Sequence, residues 1–380
     1  MKYSKREIGC ESFISLKDYS KATSVEEIGP AVETTLNETF SSNSGYDRKW
    51  LLNHHYALPN RNIDYNNSPG VSVSYIDKCI LTQPNYELML GNKIIWESFH
   101  SKFAMKTYLF NKMDKYEHIA ALNTVTLKNE GPLFIMPHRW YMHNYYHWSV
   151  ETLPKLEVYF QLKKRIRGLK LLIHKFKNGS FQSQWLSILG ISKDECVYID
   201  EESNYYMTKV IYCPTIGTNH ANKYSTKMLR KLMMRVQRNK DWEGNSDSQN
   251  IFISRKPGSV RSIINHPEIE EIMRIYRFST VYSEDHSVIQ QLKLFSKANC
   301  VCGVHGSGLS NMFSMQRKMS ILEVMTPTMI NPCFYDLACS LELEYGFLVG
   351  RYDNCNREKQ MLYLNPMEFE DQLKNMVEKA

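Results

Sequence analysis

Three stretches of this sequence concentrate residues that could do chemistry. In Pro137-His-Arg-Trp140 and the following Asn144-Tyr-Tyr-His147-Trp-Ser-Val-Glu151, His147 and Glu151 stand four residues apart. On a helix they share one face near its start, where a carboxylate orients an imidazole and raises its basicity. The pair is a candidate general base. The same two side chains could instead cap and pin the helix N-terminus. His143, His147 and Glu151, at successive four-residue steps, also offer zinc ligands, although without the HExxH pattern.

The second stretch is Cys300 to Val304, a short apolar run that breaks into His305-Gly306-Ser307-Gly308, with a helix-compatible segment from Leu309. Strand, glycine turn and helix start, in that order, form a ligand loop at the carboxyl edge of a parallel sheet. Its glycines let backbone approach a ligand, and the first helix amides are donors for an anion such as a phosphate. A tight left-handed connection without a ligand uses the same residues. Cys300 and Cys302 share one strand face, but a metal would need two further ligands.

The third is Ile253-Ser254-Arg255 with Arg261 six residues on. An arginine at a strand's carboxyl end can meet diphosphate oxygens bidentately; the bland reading is a solvated loop arginine. Glu323 interrupts the apolar strand Ile321 to Met325, and a buried carboxylate needs partners. Those could be a ribose or sugar hydroxyl pair, or a capping backbone.

These residues need α/β scaffolds to hold them. From Gly70 the alternation in Val71-Ser-Val-Ser-Tyr75 opens a strand-rich region that runs to Met136. A helix follows from Asn144 to about Lys164, and Pro154 inside it predicts a kink or two abutting helices. Strands and helices alternate from there. Polar, aperiodic residues 240–250 mark a boundary, after which the alternation is cleaner and predicts a doubly wound domain closed by a helix from Met367. The expected divisions are 1–65, an irregular lead-in; 66–240, an α/β domain; 241–355, a second, Rossmann-like domain; and 356–380, a terminal helix free to cross back to the first.

A chain of 380 residues accommodates two such domains. Its net charge of +7 suits a binder of phosphates or acidic sugars, without the dense basic stripe of a duplex binder. Nucleic acid is therefore not the expected partner. The start lacks the apolar region of a signal peptide, and no apolar run approaches the ~20 residues that span a bilayer. A cytosolic protein is expected. Nine scattered cysteines, an odd number, read as reduced rather than as a disulfide framework.

The ordered set Asn144-Tyr-Tyr-His-Trp-x-x-Glu-x-x-Pro154, Ile253-Ser-Arg255 with Arg261 and Asn265, the helix Gln290 to Ala298, His305-Gly-Ser-Gly-Leu-Ser-Asn311 and Ile321-Leu-Glu323 resembles glycosyltransferase family 61. The resemblance covers roughly residues 130 to 350. It implies a GT-B fold, two Rossmann-like domains facing a cleft, and inverting transfer from a nucleotide sugar, with UDP-sugars favoured, to a glycan hydroxyl. By the same resemblance Ser254, Arg255, Arg261, His305, Gly306, Ser307, Gly308 and Glu323 surround the donor. His147 and Glu151 are then catalytic, with His138, Arg139, His143 and Asn144 on the acceptor side. The family commonly has Ala where this chain has Ser307.

Better-known eukaryotic members sit behind a membrane anchor, so a bacterial or viral cytosolic enzyme, peripheral to the membrane and building a surface glycan, is the expectation here. The chain has no Asp-x-Asp, which predicts transfer without a metal or other cofactor. Two rivals share these residues: a nucleotide- or glycan-binding module without activity, and a zinc hydrolase built on His143, His147 and Glu151.

Overall fold

A computed structural model describes residues 71–91, 93–95, 98, 123–216, 221–238, 242, 249–352 and 360–379, with short strands at 13–14, 23–29, 32–33, 40–41 and 67–68. The chain divides into two compact units. Unit 1 comprises Met1–Val32 and Pro69–Asn219; unit 2 comprises Glu33–Ser68 and His220–Ala380.

The main strands of unit 1 are β1 (Val71–Leu81), β2 (Leu133–Ile135), β3 (Lys170–His174), β4 (Cys196–Ile199) and β5 (Asn204–Tyr212). They lie in the order β1-β5-β2-β3-β4 within a ten-stranded sheet. From β5 to β4 the pairing is parallel, and Phe134, Ile135 and Leu171 to Ile173 are buried, as both-face-covered strands require. β1 pairs antiparallel with β5, and a short meander, Leu88–Leu90 and Lys93–Ile95, continues from it. Unit 1 is thus a mixed α/β sheet, with the strand-rich start expected from Gly70 onward forming its antiparallel part.

The expected break at Pro154 takes the form of two abutting helices. A π-helix over His147–Thr152 runs directly into α1 (Leu153–Lys163). Proline in the first turn of α1 has no N–H to lose from the helix ladder. Trp148, Val150, Leu153, Leu156, Val158, Tyr159 and Leu162 are all fully buried around this segment. After β3 comes α2 (Phe181–Ile188), capped by the Ser180 hydroxyl, which accepts from the Ser183 amide.

The longer segment of unit 2 opens with α3 (Lys223–Val236). Its strands β6 (Gln249–Ser254), β7 (Phe278–Tyr282), β8 (Ala298–Val304), β9 (Ser320–Met325) and β10 (Glu344–Val349) are all parallel, in the order β7-β6-β8-β9-β10. The connections carry α4 (His266–Ile275), α5 (Val288–Ser296) and α6 (Cys333–Leu341), with a 3-10 helix, Ser307–Ser314, between β8 and β9. The chain closes with α7 (Pro366–Lys379).

Three expected divisions move. The unit boundary falls at 219/220 instead of 240/241, because α3 bonds within unit 2: Thr226 donates to the Ser340 carbonyl and Arg230 to the Leu341 carbonyl. Most of the polar stretch 240–250 lies outside the described residues. The lead-in also contributes strands: 23–29 pairs with β1, and 40–41 extends the unit 2 sheet beyond β10. Finally α7 belongs to unit 2, where Phe369, Leu373 and Met376 join a core with Phe252, Leu322 and Leu348. Its apolar face is spent on its own sheet. No helix among the described residues is long and apolar enough to cross a membrane.

Candidate active site

From β6 the chain of unit 2 winds to β7 on one side and then to β8 on the other. The carboxyl ends of β6 and β8 therefore flank a topological switch point, where open α/β sheets bind ligands. Ser254-Arg255 leaves one end and His305-Gly306 the other.

Two arginines converge there on one backbone atom. Nη2 of Arg255 donates to the carbonyl oxygen of His305 at 2.9 Å, and Nη1 of Arg261 donates to the same oxygen at 2.8 Å. Arg261 reaches it from a left-handed backbone, φ 64°, and also contacts Sδ of Met329 at 3.5 Å. Burial, with repulsion from Arg261, lowers the Arg255 guanidinium to about 10, while Glu284 acts in the opposite sense. Burial lowers Arg261 too, against the pull of Glu323 and Cys333. Neither guanidinium has an ion pair among the described residues, and both Nε atoms are buried without a partner. Two cations sharing a single neutral acceptor form a site with unspent capacity for an anion.

The loop is shaped around them. A Cβ at Gly306 would stand 2.1 Å from Nη2 of Arg255, and one at Gly308 would stand 2.7 Å from Oγ of Ser283. Beyond Gly306 the chain enters the 3-10 helix that starts at Ser307, so the α-helical start expected from Leu309 is replaced by a tighter turn. Asn311 from this helix donates to Oε1 of Gln291 at 2.8 Å. The amide nitrogen of Gln291 donates in turn to the carbonyls of Ser283, at 2.8 Å, and His286, at 3.0 Å. The loop after β7 is thereby tied to the loop after β8.

Behind the carbonyl lies a buried triad. Glu323 is fully buried; Oε1 accepts from Nδ1 of His305 and Oε2 accepts from the Tyr345 hydroxyl. Burial and the Glu323 charge push the Tyr345 hydroxyl well up, so it remains a donor. With Nδ1–H committed to Glu323, Nε2 is the lone-pair nitrogen of His305. Both Glu323 oxygens thus accept from side chains, His305 and Tyr345, and neither of these two partners is a capping backbone. Ser254 is likewise engaged elsewhere, with Oγ 2.9 Å from Nε2 of His266 at the start of α4.

In unit 1, Nδ1 of His147 donates to Oε2 of Glu151 at 2.7 Å. The carboxylate is fully buried, and the imidazole keeps 17% of its side-chain surface exposed. Nε2 is again the lone-pair nitrogen. The ring stacks on Trp140 at a centroid distance of 6.2 Å. Cζ of Arg139 lies 4.8 Å from the Trp140 ring. The hydroxyl of Thr152 donates to the His147 carbonyl at 3.0 Å, so His138, 2.6 Å away, must donate to it through Nε2–H. His138 is buried as a brace for the π-helix. Asn144 turns the chain into that helix: Oδ1 accepts from the Tyr146 amide at 2.8 Å, and its carbonyl accepts from the Trp148 amide at 3.0 Å. In these bonds both residues hold the π-helix, and Asn144 is otherwise exposed.

His143 is exposed and joins no metal set: among the described residues no three His, Cys, Asp or Glu side chains converge to hold an ion. The zinc reading of His143, His147 and Glu151 has no ligand cluster to stand on. Cys300 and Cys302 lie in the apolar core of unit 2. The structure thus gathers Arg255, Arg261, His305, Gly306 and Glu323 in one place and His147, Glu151 and Arg139 in another. Tyr345, Gln291 and Trp140 complete these clusters without being singled out as site residues from the sequence.

Residues 145–322 match the family model for Glycosyltransferase 61. The chain carries a glycosyltransferase 61 region and is a glycosyltransferase. The matched region begins beside the His147 dyad, spans both arginines and the glycine loop, and stops one residue before Glu323. No curated protein matches the chain. Two solved structures show slight likeness. One is a glycosyl transferase family 9 protein from Veillonella parvula DSM 2008, at 7% identity over 66% of this chain and 98% of that one, with a TM-score of 0.34. The other is E. coli heptosyltransferase WaaC with ADP, at 8% identity over the same shares and a TM-score of 0.28. No residue of this glycosyltransferase takes a role from them.

Proposed function

We propose that this glycosyltransferase moves a sugar from a nucleoside diphosphate donor, a UDP-sugar in the first instance, to a glycan hydroxyl with inversion at the anomeric carbon. The observation that carries the reading is the pair of guanidinia on the His305 carbonyl, at the switch point of a parallel sheet and beside glycine backbone. A diphosphate offers this pair the anionic oxygens that the carbonyl does not. Each guanidinium can bind such oxygens through parallel N–H donors.

In this scheme Nε2 of His147 takes the proton of the acceptor hydroxyl as its oxygen bonds to the anomeric carbon. The bond from that carbon to the diphosphate oxygen breaks on the opposite side, and its electron pair leaves with the diphosphate. Arg255 and Arg261 stabilise the charge that develops there, and Glu151 stabilises the imidazolium. The positive charge comes from the protein, so turnover is expected to survive chelation of divalent ions. Family resemblance points to a surface polysaccharide or a glycoprotein glycan as acceptor.

Isothermal calorimetry with UDP tests the donor assignment. Arg255→Ala and Arg261→Ala should each weaken binding about tenfold or more, the order of one charge-assisted hydrogen bond. Unchanged UDP affinity in both variants would overturn it.

A further inference from the structure

Trp140 is a large apolar side chain left 42% exposed, directly beside the His147–Glu151 dyad. Aromatic rings bring large contact area at low entropic cost, and an exposed one next to reactive groups marks a contact surface. The indole is held in place on both sequence sides. Arg139 lies 4.8 Å from its centroid and the His147 ring 6.2 Å away, at an interplanar angle of 26°. Glu151 and Trp148 are fully buried, so the part of the dyad open to solvent is the His147 ring, 17% exposed and stacked on the indole. A molecule reaching that ring lies beside the indole.

We propose that Trp140 forms the acceptor subsite and that its occupant is a pyranose ring, laid with its C–H surface on the exposed indole. This rests on the reading of His147 as the base. An acceptor hydroxyl must come within about 2.6–3.2 Å of that nitrogen to lose its proton. The sugar ring bearing the hydroxyl then lies within contact distance of an indole stacked on the same imidazole. A pyranose fits the chemistry of the surface: C–H groups for the indole, and rim hydroxyls that can accept from Arg139. Trp140 is thus a binding and specificity residue, whereas Glu151 positions the base.

The test is a fluorescence titration with methyl α- and β-pyranosides of glucose, galactose, mannose and xylose, on the wild type, Trp140→Phe and Trp140→Ala. Thermal melts confirm that each variant folds. At least one glycoside should give a saturable shift in the wild type. In competition measurements, Trp140→Ala should lose about tenfold or more in affinity for it, and Trp140→Phe should fall between. In transfer assays the loss should appear in the acceptor KM.

Absence of a shift with every glycoside, or equal affinity in Trp140→Ala, overturns the subsite. So does a kcat loss with a displaced pH profile and an unchanged acceptor KM, which would mean that the indole only aligns the imidazole. UDP calorimetry on the arginine variants reads the donor assignment separately, and pyranoside binding to His147→Ala separates the subsite from the choice of base.

Discussion

A methyl group placed on Gly306 would stand 2.1 Å from Nη2 of Arg255. The backbone at 306 is extended, φ 170°, so alanine is not strained there. The conflict lies with the end of a flexible side chain, which can swing away, but in doing so it leaves the His305 carbonyl. Gly306→Ala should therefore keep its stability within about 1 kcal/mol of the wild type and lose UDP affinity about tenfold. Gly303→Ala makes the contrast, since its methyl would meet Cδ2 of Leu309 at 2.7 Å and the backbone oxygen of Ile253 at 3.3 Å. That variant should lose roughly 1–3 kcal/mol. Thermal melts paired with calorimetry distinguish the two.

Removing the imidazole should strike turnover and spare the donor. His147→Ala is expected to lower kcat by roughly 10²–10⁴, with UDP affinity nearly unchanged. Glu151→Gln keeps the shape but removes the charge behind Nδ1–H, and it should lose a smaller part of the same rate. Single-turnover transfer, read beside UDP calorimetry, checks both; a fall in UDP affinity equal to the fall in rate would put His147 on the donor instead.

Tyr345→Phe leaves Oε2 of the fully buried Glu323 without its donor. An orphaned buried acceptor costs about 1–3 kcal/mol, more when charged, so the urea midpoint should drop by a corresponding amount with an unchanged m-value. Oε1 still holds His305, whose amide also bonds the Val324 carbonyl, so UDP binding should change less than stability does. A variant as stable as the wild type would show that the hydroxyl contributes nothing.

Lys155 gives a pH signature. It is 1% exposed, its ammonium donates to the Met136 carbonyl at 3.3 Å and lies 5.8 Å from the centroid of the Tyr212 ring, and burial lowers it to about 8, partly countered by Cys213. In the unfolded chain a lysine titrates near 10.4. Between these values the unfolded state binds more protons, so this group's contribution to stability rises with pH from about 8 upward and is lost again as pH falls through 8. The full swing corresponds to roughly 3 kcal/mol. Lys155→Met should be more stable than the wild type at pH 7, and the gap should narrow toward pH 10. Denaturant titrations at the two pH values read it directly; a gap that does not narrow would assign the difference to packing.

Local signals carried much of this fold. Proline in an otherwise helical run marks the junction at residue 154, and the apolar strand ending in His305-Gly306 marks the loop at the switch point. Burial of Glu323 is legible from its apolar neighbours, but its partners are not. Tyr345 reaches it only through the pairing of β9 with β10, a register decided by tertiary packing. Ser254 and Asn144 sit in the expected motifs and yet serve α4 and the π-helix, because a polar side chain near a helix start is readily captured by it. The lead-in defeated periodicity altogether: its strands are two to seven residues long and borrow their order from partners far along the chain.

The wide turn over His147–Thr152 also bears on how this chain can vary. A π turn holds one residue more than the α turn it replaces, and each residue of an α-helix advances the side chains by roughly 100°. Deleting a single residue here would tighten the coil and leave α1 undisturbed, while rotating His147 away from the carboxylate that orients it. Length, more than composition, is the property of this segment that drift cannot alter without parting His147 from Glu151.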